Sequence, residues 1–240
     1  MRKTQDMLEF EYARSAFKNG LKLEAQLGVN PFKFGMVGST DAHTALTAVE
    51  EENFFGKHSG VEPEPHRWEH VVIEAPDPKF TIKGWQQAAA GYAGVWATEN
   101  TREAIFDAMK RKETYATTGP RITVRFFGGW DFDASDAKSR FLAEAGYEKG
   151  VPMGGDLKQA PAGAKAPSFL VAAMKDARSG NLDRIQIVKG WLGKDGKGQE
   201  KVYEWTADYA GVWMYHCGTS PALHHIANGM YGMVIVEPAE

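Results

Sequence analysis

A chain of 240 residues with 43% apolar and 25% charged side chains holds enough of each to bury a core, as one large domain or two small ones. The formal net charge of −3 and the absence of a long Lys/Arg block argue against nucleic acid or an anionic membrane surface as the main partner, and favour small molecules and metals. No stretch approaches the roughly 18 consecutive apolar residues of a membrane-crossing helix, the opening Met1-Arg2-Lys3-Thr4-Gln5-Asp6 has no apolar secretion segment, and one cysteine forms no internal disulfide.

From Met7 to Leu27, Leu8, Tyr12, Ala16, Leu23 and Leu27 recur at helical spacing, with Asp6 as cap and Gly28 as stop, which predicts a helix of about five turns. After Asn30-Pro31, the apolar run Phe32 to Val37 closes at Gly38-Ser39 and predicts a buried strand feeding the loop Thr40-Asp41-Ala42-His43. Glu50 to Pro78 has no sustained period and reads as a long surface excursion. Gly94 to Thr98 is strand-like. Asn100 or Thr101 then caps a helix over Arg102 to Lys112 with Ala104, Ile105, Ala108 and Met109 on its apolar face, and the three together form an α/β unit.

Beyond Thr118-Gly119-Pro120 the texture changes. Short β runs at Ile122 to Phe127, Phe169 to Ala173, Ile185 to Val188, Val202 to Trp205, Val212 to Tyr215 and Met233 to Val236 are separated by turn signals such as Lys194-Asp195-Gly196-Lys197. They predict an antiparallel sheet or sandwich, with a boundary near Gly119-Pro120. The Ala/Pro/Gly tract from Gln159 to Pro167 reads as a connector.

Two sets of residues carry chemistry. Asp41 and His43 stand two apart, so in extended geometry both side chains point the same way, as a barrel presents a carboxylate and an imidazole to one metal ion. Taken alone, the pair also fits a capped turn with a surface histidine. The second set is Tyr215-His216-Cys217 followed by His225 and Met230, a thiolate, an imidazole and a thioether of the soft kind that an electron-transfer copper takes. Neighbours on a strand face opposite sides, so His216 does not readily share a copper with Cys217.

The motifs Phe34-Gly35-Met36-Val37-Gly38-Ser39-Thr40-Asp41-Ala42-His43-Thr44, Glu51-Glu52-Asn53-Phe54-Phe55-Gly56-Lys57, Ala93-Gly94-Val95-Trp96-Ala97 and Thr114-Tyr115-Ala116-Thr117-Thr118-Gly119-Pro120-Arg121 closely resemble the C-terminal part of a large bacterial family. That family is catalogued as a domain of unknown function and is related to the PHP (polymerase and histidinol phosphatase) metal-dependent hydrolases; the resemblance runs from about residue 1 to about 203. It implies a distorted α/β barrel in which Asp41 and His43 are metal ligands. Zn²⁺ or Mn²⁺ held there would activate water against a phosphate or sulfate ester. Arg121 would contact an anionic substrate, although a surface salt bridge accounts for it equally well. Such enzymes begin with a His-x-His loop, and no His-x-His occurs in this chain. The chain therefore reads as the last portion of the barrel (1–119) plus its β-rich accessory region (120–203), and unaided hydrolase activity is not expected.

The segment Thr206 to Cys217, with Gly229-Met230-Tyr231-Gly232-Met233-Val234-Ile235-Val236-Glu237-Pro238, resembles the end of a cupredoxin domain of copper nitrite reductase and multicopper oxidase type. The resemblance implies that Cys217, His225 and Met230 hold an electron-transfer copper and that His216 belongs to a second, catalytic copper shared between subunits. It also implies a further histidine from an earlier strand, which nothing upstream resembles.

The expected architecture is thus a partial PHP-like α/β barrel followed by an antiparallel β region ending in two cupredoxin-like strands (204–240), a chimera with its junction near Tyr203-Glu204-Trp205. Three readings of function follow: an incomplete metal-dependent hydrolase, a copper redox protein, or a chain without catalytic activity. A small-molecule substrate and a homo-oligomer are compatible with the first two. Relatives of both parts are commonly exported, which implies a periplasmic location.

Overall fold

The computed structural model describes residues 4–41, 43, 65–87, 91–164, 166–206, 211–216 and 231–236, with the backbone alone at 67 and from 205 onward. The chain divides into two units, residues 1–34, 138–142 and 180–240 in the first and residues 35–137 and 143–179 in the second. Both are built from helices and small antiparallel sheets; among the described residues no strands close into a barrel. No helix among them is long and apolar enough to cross a membrane.

In the first unit the expected single helix is two, α1 (Leu8–Glu11) and α2 (Ala13–Leu27), because Tyr12 between them takes extended backbone angles. The break lets α1 fold back. Asn19 Nδ2 donates to the Glu9 carbonyl at 3.0 Å and Lys22 Nζ reaches Glu9 Oε1 at 2.8 Å. In one straight helix Glu9 and Asn19 would stand about 15 Å apart along the axis. Gly28 stops α2 as expected: at φ +76° its N–H closes onto the Glu24 carbonyl at 2.9 Å, a conformation that costs glycine little.

The stretch expected as a strand over Phe32 to Val37 forms none. Phe34 stacks instead on Phe17 of α2, ring centroids 4.7 Å apart, and the chain passes from the first unit to the second between Phe34 and Gly35. An apolar run alone does not say whether it meets a sheet or a helix, and here Phe34 meets a helix.

Strands β8 (Arg184–Leu192) and β9 (Gly198–Thr206), numbered in chain order, form a long antiparallel hairpin with Val188 opposite Val202. Helix α2 lies on it where two glycines leave room: a Cβ at Gly198 would stand 3.3 Å from Lys18 Cβ, and one at Gly190 3.5 Å from Lys18 Cγ. Arg14 Nη2 at 2.5 Å and Lys18 Nζ at 2.8 Å grip the Glu200 carboxylate. Hydrogen bonds from Arg14, then from Lys18, hold that carboxyl well below its usual 4.5, at about 2.

Strands β10 (Gly211–His216) and β11 (Tyr231–Val236) pair antiparallel, Gly211 opposite Val236 and His216 opposite Tyr231. The β runs beyond Thr118 were expected to join in an antiparallel sheet or sandwich. Instead β9 pairs with β8 and β10 with β11, as two separate ribbons.

In the second unit the short strands β1 (Val71–Ile73) and β2 (Ile82–Lys83) pair; both were unexpected, β1 within the excursion, whose residues 50–64 lie outside the described residues. Strands β3 (Tyr92–Val95) and β4 (Thr114–Thr117) flank helix α3 (Arg102–Lys110). Thr101 caps α3, its hydroxyl accepting from the Ala104 N–H at 3.3 Å. The two strands pair antiparallel, Tyr92 opposite Thr117, so α3 does not make the parallel crossover of a barrel. Beyond them β5 (Thr123–Gly129) is the centre of a three-stranded sheet between β6 (Gly150–Pro152) and β7 (Ser168–Met174).

Helix α4 (Leu142–Lys149) was not foreseen, since Gly146 sits in its middle. The glycine has a packing reason: a Cβ there would lie 2.6 Å from the Phe127 ring of β5. Phe127 is 1% exposed and, with Leu170 and Ala108, forms the apolar core among the described residues. Tyr147 of α4 meets the same ring edge-on at 5.1 Å.

Beside that core lies a buried charge. Glu113, between α3 and β4, is 2% exposed. Arg111 Nε donates to its Oε2 at 2.8 Å, the Tyr147 hydroxyl donates to its Oε1, and Arg125 Nη1 stands 3.7 Å from that oxygen. Arg125 also donates to the Tyr147 oxygen at 2.9 Å and lies 3.4 Å over the Trp96 ring. Trp96 donates through Nε1 to the Val124 carbonyl at 2.8 Å, and its own carbonyl accepts from Arg111 Nη2 at 2.9 Å.

Glu113→Ala leaves no fully buried charge, since Arg111 and Arg125 reach water, but it takes the acceptor from two donors, so it is expected to cost about 1–3 kcal/mol in urea unfolding; a loss under about 1 kcal/mol would show the group to be worth no more than a surface pair. Glu200 gives a pH signature. Its folded pKa is depressed, so its contribution is complete above about 4.5 and drains away as pH falls toward about 2. The melting temperature should therefore fall more steeply across that window in the natural protein than in Glu200→Gln, and parallel curves would refute the assignment.

Candidate functional site

The loop bearing Asp41 and His43 runs along the β3–β4 pair, and glycines set how close it comes. A Cβ at Gly38 would stand 2.4 Å from the Tyr92 carbonyl oxygen and 2.8 Å from that of Thr117; one at Gly35 would stand 2.9 Å from Thr114 Oγ1. Any side chain at Gly38 would push the loop off the strands.

Beyond Gly38 the backbone is not extended as expected. Asp41 has φ +52°, in the left-handed region that aspartate enters more easily than most residues because its short side chain bonds locally. The turn still brings the two side chains together: His43 Nε2 donates to Asp41 Oδ1 at 2.8 Å, both about half exposed. A ring nitrogen that donates a proton has no lone pair for a metal, so Nε2 does not ligate one while it keeps this contact. A carboxylate on one imidazole nitrogen fixes the orientation and tautomer of the ring, as carboxylates do for metal-binding histidines. Among the described residues no group of three or more His, Cys, Asp or Glu is placed to hold a metal ion.

Arg121 has surroundings of its own. Its backbone N–H donates to Asp176 Oδ2 at 2.6 Å, and its guanidinium carbon stands 5.8 Å from the centre of the Tyr92 ring. Asp176 also accepts from the Arg178 N–H at 2.9 Å. These backbone hydrogen bonds, Arg121's first, hold the Asp176 carboxyl below the usual carboxylate range. Arg121 thus lies beside an ionised carboxylate, which weakens its field toward an anion.

Of the copper set, Cys217, His225 and Met230 lie outside the described residues, as does His224. His216 is the last residue of β10, and its backbone stands opposite that of Tyr231, the first residue of β11. Cys217, His225 and Met230 thus fall in sequence between the two members of that cross-strand pair.

Sequence reasoning overlooked the group around Glu113. No periodicity marks it, because its members come from the end of α3, the start of β4, β5 and α4. Burial, then the hydrogen bond to Glu113, pushes the Tyr147 phenol up, so it stays protonated and serves as a donor. A second buried pair, Asp136 with Lys149 Nζ at 2.7 Å, ties α4 to the loop before it. In both groups charge is answered by charge.

Residues 195–240 match a multicopper oxidase family. The copper-containing nitrite reductases of Neisseria meningitidis serogroup B (strain MC58) and of Neisseria gonorrhoeae are each 44% identical to this chain over 43 residues, 18% of this chain and 11% of theirs. The chain thus spans about a tenth of the length of the curated relatives it matches. No solved structure matches it. Residues 1–211 match the family described as protein of unknown function (DUF3604), and on that match over most of its length the chain belongs to that family.

Proposed function

We propose that the chain carries a copper-type loop on the β10–β11 hairpin, with Cys217, His225 and Met230 as ligands of an electron-transfer copper and His216 as a ligand of a second one. One observation carries the reading: within the segment that matches a multicopper oxidase family, the hairpin ends on the paired residues His216 and Tyr231, which bracket the other three donors in sequence. The donor set fits, since a thiolate with a thioether is soft and selects copper over Mg²⁺ or Ca²⁺. Copper bound there would supply one-electron transfer. The chain's part is to deliver the donors from one turn and to separate His216 from Cys217 by the alternation of a strand. Among the described residues no histidine stands in a strand before β10, so the second imidazole that such a site takes is not assigned to a residue.

Titrating the protein with Cu²⁺ checks this. A strong visible thiolate-to-copper band is expected, lost in Cys217→Ser and weakened or shifted in Met230→Ala. No band, or one that survives Cys217→Ser, would sink the reading.

A second reading rests on the Asp41–His43 contact. It takes residues 1–119 as the end of a PHP-like barrel, 120–203 as its accessory region and 204–240 as the cupredoxin-like segment, with the seam at Tyr203-Glu204-Trp205 in β9. That seam falls inside residues 195–211, where the two family matches overlap. Asp41 and His43 would be ligands to Zn²⁺ or Mn²⁺, with Arg121 toward an anionic small-molecule substrate. Ligation through His43 Nδ1 leaves the present contact intact; ligation by both residues at once opens it. The family resemblance adds a periplasmic setting. Elemental analysis checks the metal: Asp41→Ala with His43→Ala should lower bound Zn or Mn at least several-fold, and an unchanged content would remove these residues from any metal site. Failure of both tests would favour the third reading, a chain without catalytic activity.

A further inference from the structure

The β8–β9 ribbon has two faces, and α2 rests on one. Side chains alternate along each strand, and Gly190, Gly198 and Glu200, which Lys18 and Arg14 of α2 approach, share a face. The other face carries Ile187, Lys189 and Trp191 from β8 and Lys201 and Tyr203 from β9.

On that other face Lys189 and Lys201 are direct cross-strand partners, both exposed. Such partners have β-carbons about 5 Å apart, and like charges so placed destabilise a hairpin. Each ammonium lies over an aromatic ring two residues along its own strand: Lys189 Nζ is 5.5 Å from the Trp191 centroid and Lys201 Nζ 4.9 Å from that of Tyr203. The strands run in opposite directions, so the two rings fall on opposite sides of the lysine pair. Each is one rung away, about 7 Å along the ribbon. The pattern is ring, two cations, ring.

We propose that this face binds an acidic polysaccharide. A carboxylate or sulfate bridging Lys189 and Lys201 would cancel their repulsion, so the anion gains what the hairpin loses by pairing them. Trp191 and Tyr203 would take the apolar faces of sugar rings on either side. A nucleic acid fits less well. Its affinity grows from many phosphate contacts, whereas this face offers two ammonium groups on a chain with 28 Lys and Arg against 31 Asp and Glu.

The test is equilibrium binding of the full chain to polygalacturonate, dextran sulfate and oligothymidylate at low and moderate salt. One of the two polysaccharides should bind, more weakly as salt rises, and which one binds assigns the bridging group as carboxylate or sulfate. Lys189→Gln with Lys201→Gln should weaken binding about tenfold, Trp191→Ala should weaken it too, and Lys189→Arg with Lys201→Arg should retain it, with melting curves showing each variant folded. The proposal is overturned if neither polysaccharide binds, if the double glutamine variant binds as the natural protein does, or if oligothymidylate binds more tightly than both.

Discussion

Glu113 is the constraint around which the second unit is arranged. A carboxylate that is 2% exposed must be answered on all sides, and the partners come from four places in the chain: Arg111 just after α3, Arg125 on β5, Tyr147 on α4 and, through Arg125, Trp96 just after β3. Each satisfies Glu113 only if its own element is in register. Buried ion pairs add little net stability, because desolvation offsets most of the attraction. Their effect lies in what they exclude: a shift of α4 by one residue would remove the Tyr147 hydroxyl and leave a buried charge short of a donor. The apolar contact between Phe127 and the bare Gly146 backbone sets the distance of α4 from the sheet, and the Glu113 group sets its rotation.

The first unit solves a related problem with exposed groups. Glycines at 190 and 198 open the ribbon surface, Lys18 lies over them, and Arg14 and Lys18 close on Glu200. These groups are partly in water, so salt and acid weaken them. What they do supply is direction, since two cations one helical turn apart on α2 can share one carboxylate only along one axis.

Much of this order is legible in the sequence, and what is legible is local. Gly28 as a helix stop, Thr101 as a cap and the Lys194 to Lys197 turn all act within a few residues, and all stand in the structure. The strands beyond Thr118 are there as well, several longer than their apolar cores: β8 runs on to Leu192 because hairpin pairing carries it past its apolar stretch. What the sequence hides is non-local. The apolar run after Pro31 cannot announce that Phe34 will stack on Phe17, nor can Gly146 announce that its missing side chain makes room for Phe127. Asp41 and His43 show the same division. Their spacing implied two side chains pointing the same way from an extended strand; the backbone is not extended there, and the side chains touch each other through a left-handed turn at Asp41.

The two candidate metal sites differ most in what they would accept. Asp41 and His43 offer a hard oxygen and a borderline nitrogen, donors that Zn²⁺ and Mn²⁺ take readily, while Cys217 and Met230 offer soft sulfur. Softness separates the sites in one direction only. Mn²⁺ gains little from sulfur, whereas Zn²⁺ takes thiolate and imidazole as well as carboxylate, and Cu²⁺ binds a carboxylate and an imidazole more tightly than either in the usual order of divalent affinities. Copper would therefore enter both sites when abundant, and total copper bound would not say which ligands hold it. The sulfur can: only a Cu²⁺–thiolate bond gives the intense visible absorption, so colour would belong to Cys217, and Cu²⁺ that binds without it would belong to nitrogen and oxygen donors. A chain that joins hard and soft donors in this way can sort metals only where copper is scarce or held as Cu(I), whose preference for thiolate and thioether leaves Asp41 and His43 to the harder ions.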